Sequence, residues 1–167
     1  MRSPWTAYAS ATRSMWAIDA ENMSLAADLH SLDVADIRTR ISDARAIGGY
    51  EEHDQTILGV SHRNRLAAGL ACPSMRLVTR SGPDGADIAI EDAIRADRCL
   101  ERFARLVIVS GDAWFIPLAE DALAAGMRVT VVSMRAALSN KWRAITPDIR
   151  LLDATPETAD TSHLALV

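Results

Sequence analysis

The sequence predicts an α/β fold: three α/β/α layers around a central, mainly parallel sheet of five or six strands. Short apolar runs alternate with segments of helical periodicity, the pattern of parallel βαβ units. A chain of 167 residues is most simply one domain, long enough to cover roughly two-thirds of the surface that its unfolded form exposes. Hydrophobic residues at 49% and charged residues at 24% are the globular norm.

The elements follow in order. Residues 1–13 are small and polar, carry Pro4, and read as a lead-in. Residues 15–18 are the first strand, and 23–30 a short helix or turn. Over 33–47, Val34, Ile37, Ile41 and Ala44 share one helical face, and Gly48-Gly49 ends the helix. Residues 56–60 are the second strand, 63–70 a short basic helix, and 75–79 the third strand. The turn cluster Ser81-Gly82-Pro83-Asp84-Gly85 leads into one helix over 86–103. The most apolar strand is 106–109. A helix follows Pro117 and stops at Gly126, with proline at its start and glycine past its end. Residues 129–132 are the fifth strand and 149–152 a sixth; 154–167 form a tail whose last four residues are apolar enough to dock on a neighbour.

Composition narrows the function classes. A net charge of −4 carries no overall signature of nucleic-acid binding, so any basic surface is local. Cys72 and Cys99 have no CxxC spacing and no His at a ligand interval, which argues against zinc and for reduced thiols. No apolar run approaches the ~20 residues of a membrane span, and the first residues lack a signal-peptide core. A cytoplasmic protein with no membrane association is expected. Neither GxGxxG nor GxxxxGK[ST] is present.

The chemistry lies in acidic turns. Asp19 and Asp112 each follow an apolar run, and the carboxyl ends of parallel strands line the edge where ligands bind. Two carboxylates brought together there repel each other unless a cation lies between them. Asn22, three residues past Asp19, is placed to orient it, to hold a water or to touch a phosphate. Asp87 opens its helix directly after the glycine-rich turn; Glu91 lies four residues on, facing the same way, while Asp92 is rotated away. Asp and Asn oxygens with water suit Mg²⁺ or Mn²⁺, which lowers the pKa of a bound water and stabilises phosphate charge. Ser110 sits in no GxSxG elbow and is not a nucleophile. Plainer roles stand beside these: Asp19 and Asn22 as caps, Asp87 as complement to its helix dipole, Glu91 and Asp92 as a solvated face.

These segments carry a family resemblance. Ile18-Asp19-Ala20-Glu21-Asn22 resembles the D-x-x-N opening of NYN domains, a branch of the PIN-like nucleases. The segment 85–92 resembles their middle acidic motif, 109–118 their SGDxDFxPL segment, and 126–132 the G-x-x-V strand after it. Order and spacing agree over 14–153, which is taken as an NYN/PIN-like domain between the lead-in 1–13 and the tail 154–167. The resemblance implies a PIN-like fold and a Mg²⁺- or Mn²⁺-dependent ribonuclease hydrolysing RNA phosphodiester bonds. Asp19, Asn22, Asp87 and Asp112 match the catalytic positions, with Asp19, Asp87 and Asp112 as metal ligands and Glu91, Asp92, Ser110 and Trp114 as accessory candidates. Trp114 stands where many members carry a second Asp. That departure supports an alternative, a catalytically weakened module that binds RNA or a protein partner. A phosphatase of small substrates is a third option. A homodimer or a regulatory protein partner is compatible with each.

Trp114 is expected to pack under the following helix, with base stacking as its other role. Arg63 and Arg65, with Arg76 and Arg80, are candidates to flank the acidic site and grip RNA phosphates. Lys141 and Arg143 are a second such pair; an ordinary solvated surface is the plainer reading of both groups. His53 and His62 are expected to be surface residues with no catalytic part.

Overall fold

The computed structural model describes residues 12–23 and 32–153. Most of the lead-in, the short element expected over 23–30 (beyond Met23) and the tail 154–167 lie outside the described residues. Six strands form one sheet: β1 (Ser14–Asp19), β2 (Gln55–Val60), β3 (Arg76–Thr79), β4 (Arg105–Val109), β5 (Arg128–Ser133) and β6 (Ile149–Leu151). Their order is β3-β2-β1-β4-β5-β6, and every neighbouring pair is parallel. The described residues hold five α-helices: α1 (Val34–Gly48), α2 (Arg65–Ala71), α3 (Gly85–Ala96), α4 (Cys99–Arg102) and α5 (Ile116–Ala124). No helix among the described residues is long and apolar enough to cross a membrane.

The period of two along the strands builds the layers. Met15, Ala17, Ile57, Leu106 and Ile108 face one side, where Ile90 and Ile94 of α3 and Leu118 and Ala119 of α5 pack. Trp16, Ile18, Leu58, Val107 and Val109 face the other, against Ile37 and Ile41 of α1 and Ala68 of α2. β1 is buried along its whole length because both its edges and both its faces are covered. Each fully buried Ile or Leu contributes about 1.5–3 kcal/mol of transfer free energy.

Two glycines meet different demands, one of packing and one of backbone conformation. A Cβ on Gly59 would run into the Ile90 side chain and stand 3.1 Å from the Ala86 carbonyl, so its absence lets α3 settle onto β2. Gly49 takes the left-handed conformation (φ 70°) that ends α1, as expected.

The expected single helix over 86–103 is corrected to two. It breaks after Ala96, where Arg98 adopts a left-handed conformation at φ 53°. The break turns Cys99 and Phe103 into the core. Helical periodicity alone did not mark it, because no glycine or proline stands there. The short basic segment after β2 begins as a 3-10 turn, His62–Asn64, before α2.

Candidate active site

From β1 the chain winds one way to β3; from β4 it winds the other way to β6. The crevice outside the carboxyl ends of β1 and β4 is therefore the topological switch point, where α/β sheets bind ligands. Asp19, the last residue of β1, lies there and is buried. Its Oδ1 accepts the backbone N–H groups of Glu21 (3.1 Å) and Asn22 (3.3 Å). Its Oδ2 accepts the Ser110 hydroxyl at 3.5 Å. Asp87, in the first turn of α3, is also buried, and its Oδ1 has no hydrogen-bond partner.

The electrostatics show that the two carboxyls act on each other. Burial, then the charge of Asp87, pushes the Asp19 carboxyl up to about 7. Burial, then the charges of Asp112 and Asp84, raises Asp87 to about 6, and a hydrogen bond shared with Asp19 offsets part of the rise. A buried carboxylate pair is held together at a cost that a proton or a cation relieves.

The other expected residues take distinct places. Asn22 Oδ1 accepts the Gly111 N–H at 2.7 Å, joining the turn after β1 to the loop after β4. The Gly111 carbonyl accepts Ser139 N–H (2.9 Å) and the indole N–H of fully buried Trp142 (3.1 Å). A Cβ on Gly111 would overlap the Ala137 carbonyl and the Ser133 hydroxyl. Asn22 thus clamps backbone. Ser110 is buried and bridges Asp19 to the Asp112 N–H, which it accepts at 3.2 Å. Asp112 itself is exposed at the rim, where its Oδ1 accepts Trp114 N–H at 2.9 Å and caps the 3-10 turn Ala113–Phe115. The structure brings Asp19 and Asp87 together and leaves Asp112 beside them, felt through its charge.

Glu91 is engaged by Arg95 at 2.8 Å and Asp92 by Arg80 at 3.3 Å, both on the outer surface of α3. The expectation that Trp114 packs under the next helix is corrected: it is 39% exposed. Capping by Asp112 fixes its backbone and leaves the indole outside the core. Arg76 is also misplaced as a flank of the site. It starts β3, at the opposite edge of the sheet, and pairs with Asp97. Arg63 and Arg80 line a cavity at the carboxyl edge, together with Glu21. Arg65 lines an apolar hollow beside Leu66 and Leu70. Lys141 and Arg143 are exposed on the 3-10 turn Asn140–Ala144, next to the Gly111 loop.

Glu21 is the residue the sequence reading missed. Its charge raises both Asp19 and Asp87, and its place inside the D-x-x-N tetrad was the available signal.

The donor set fits a hard divalent ion: all oxygen, two adjacent carboxyls, and one buried oxygen without a partner. Among the described residues, no three Asp, Glu, His or Cys side chains form a ready-made metal cage. Mg²⁺ commonly binds through one or two carboxylates with waters and substrate phosphates in the remaining positions.

Comparison with known proteins adds family and fold. A family model described as NYN domain matches residues 13–147. A crystal structure of a protein of unknown function from Vibrio parahaemolyticus is similar at TM-score 0.58 and 14% identity, covering 92% of this chain and 97% of that one. That likeness shows the fold alone. No curated protein matches the sequence.

Proposed function

The chain belongs to the NYN domain family, within the PIN-like nuclease superfamily, and on that premise we propose that it is a metal-dependent ribonuclease hydrolysing RNA phosphodiester bonds. The observation that carries the reading is the buried Asp19–Asp87 pair at the switch point, with an unpartnered oxygen on Asp87. Asp19 and Asp87 would hold Mg²⁺ or Mn²⁺, with Asp112 joining from the rim. A divalent ion there supplies charge stabilisation for the phosphate and a lowered pKa for the attacking water.

The protein's own part is positioning. The Asn22–Gly111 and Trp142–Gly111 hydrogen bonds fix the loop that carries Asp112. Ser110 and two backbone N–H groups fix Asp19. Cys72 and Cys99 are unpaired, as suits a cytoplasmic setting. The test is Mn²⁺-dependent cleavage of an RNA oligomer. Asp19→Asn and Asp87→Asn are expected to abolish it in folded protein; full activity in both variants would sink the proposal.

The second reading is a module on the same fold that binds RNA or a protein without cutting. Asp112 spent on a cap and Trp114 exposed beside it favour that reading. Calorimetry separates the two: no Mg²⁺ or Mn²⁺ binding at millimolar concentration selects the module.

A further inference from the structure

We infer that the cavity between the ends of β2 and β3 is the subsite for the RNA phosphate next to the one at Asp19–Asp87; this deepens the ribonuclease reading and rests on it. The cavity measures about 450 Å³ and is lined by Glu21, Ser61, His62, Arg63, Arg80 and Ser81, among others. β2 ends at Val60 and β3 at Thr79, so these residues stand on the carboxyl edge, the edge that also carries Asp19. β2 is the direct neighbour of β1, and Asp19 is in register with Gly59. The strand that leads into the cavity therefore lies one strand spacing, about 4.8 Å, from the strand that ends in Asp19.

That spacing is fixed. Glu21 Oε1 accepts Ser61 N–H and the Asn64 side-chain N–H, each at 2.9 Å, which pins the turn after β1 to the turn after β2. Asn64 is buried and its Oδ1 accepts Leu32 N–H at 3.1 Å, so the clamp is anchored in the core. Glu21, the one acid among the described residues that line the cavity, thus has its Oε1 engaged by two N–H donors, and the rest of the lining offers donors.

The cations are available. Arg63 makes no ion pair among the described residues. Among the described residues Arg80 pairs only with Asp92, both more than half exposed. Such a pair is worth little in water, and a phosphate can displace the aspartate. The Ser61 and Ser81 hydroxyls and His62 supply further polar contacts. A strand crossing the edge then places one phosphate at the carboxyl pair and its neighbour in this basic pocket. Phosphates are held where cations are, and the strand is cut where the acids are.

The test is RNA binding in EDTA, where no cutting occurs, by the wild-type chain and the doubly substituted Arg63→Ala/Arg80→Ala chain. The probe is a fluorescein-labelled single-stranded hexamer, titrated at several salt concentrations. The double variant is expected to bind at least tenfold more weakly. The slope of log affinity against log salt should become shallower by about 0.7, the change for one lost phosphate contact on a single strand. Arg98→Ala, on the exposed Arg98–Glu101 pair, should leave both unchanged, and thermal melts confirm that all three chains fold. No binding by the wild type, or an unchanged slope in the double variant, overturns the subsite. The parent reading fails separately: binding with the steep slope but no Mn²⁺-dependent cleavage defeats hydrolysis and leaves the subsite standing.

Discussion

At neutral pH, ionising both Asp19 and Asp87 sets two negative charges against each other inside the protein. Their carboxyl pKa values, about 7 and about 6, are raised by burial first and by neighbouring acids second. A raised folded-state pKa means that the native chain holds protons which the unfolded chain releases near pH 4. The stability linked to those protons is present below about pH 4 and is lost as pH rises through 6–7. Metal-free protein is therefore expected to lose melting temperature from pH 5 to 8. Asp87→Asn should flatten that loss, as measured by thermal melts across the range. Trp114 makes a different prediction. Because it is 39% exposed, Trp114→Ala should change stability by less than about 0.5 kcal/mol. If the indole stacks on a base, RNA affinity falls by roughly 1–3 kcal/mol. Equal affinity in fluorescence titrations would leave Trp114 without a role in binding.

α3 delivers Asp87 to Asp19, and Gly59 permits the approach. Gly59→Ala would push against Ile90 and the Ala86 carbonyl, at a cost of about 1–3 kcal/mol. It should also weaken Mn²⁺ binding by displacing the turn that carries Asp87; a melt paired with a metal titration reads both effects. The clamp between loops gives a companion prediction. Asn22→Ala leaves the Gly111 N–H without its acceptor, at about 1–3 kcal/mol. Strands and helix termini were legible in the sequence because apolar runs, Gly49 and Pro117 each impose a local constraint. The break at Arg98 was not, since a left-handed arginine carries no residue-type signal. Asp19 and Asp87 were legible as strand-end and helix-start acids. The capping of Asp112 and the Asn22–Gly111 bond were not, because both depend on how separate loops meet. Arg76 looked like a neighbour of Arg80 in sequence, yet a strand of four residues carries the two to opposite edges.

The strand order β3-β2-β1-β4-β5-β6 makes one crevice, and the buried acids Asp19 and Asp87 lie there. Binding a divalent ion should stabilise the whole domain, because the ion favours the folded state over the unfolded one. The gain in melting temperature should grow as pH rises from 5.5 to 8, since the cation replaces protons that the acidic pair no longer holds. The most direct measurement is calorimetric titration of Mn²⁺ into wild-type and Asp87→Asn protein at pH 6, in buffers of different ionisation enthalpy. The account predicts that the wild type binds Mn²⁺ at millimolar concentration or below and releases protons as it does so, while Asp87→Asn binds weakly or not at all. Identical binding by the two proteins, or binding without proton release, would contradict the claim that Asp19 and Asp87 form the metal-holding centre.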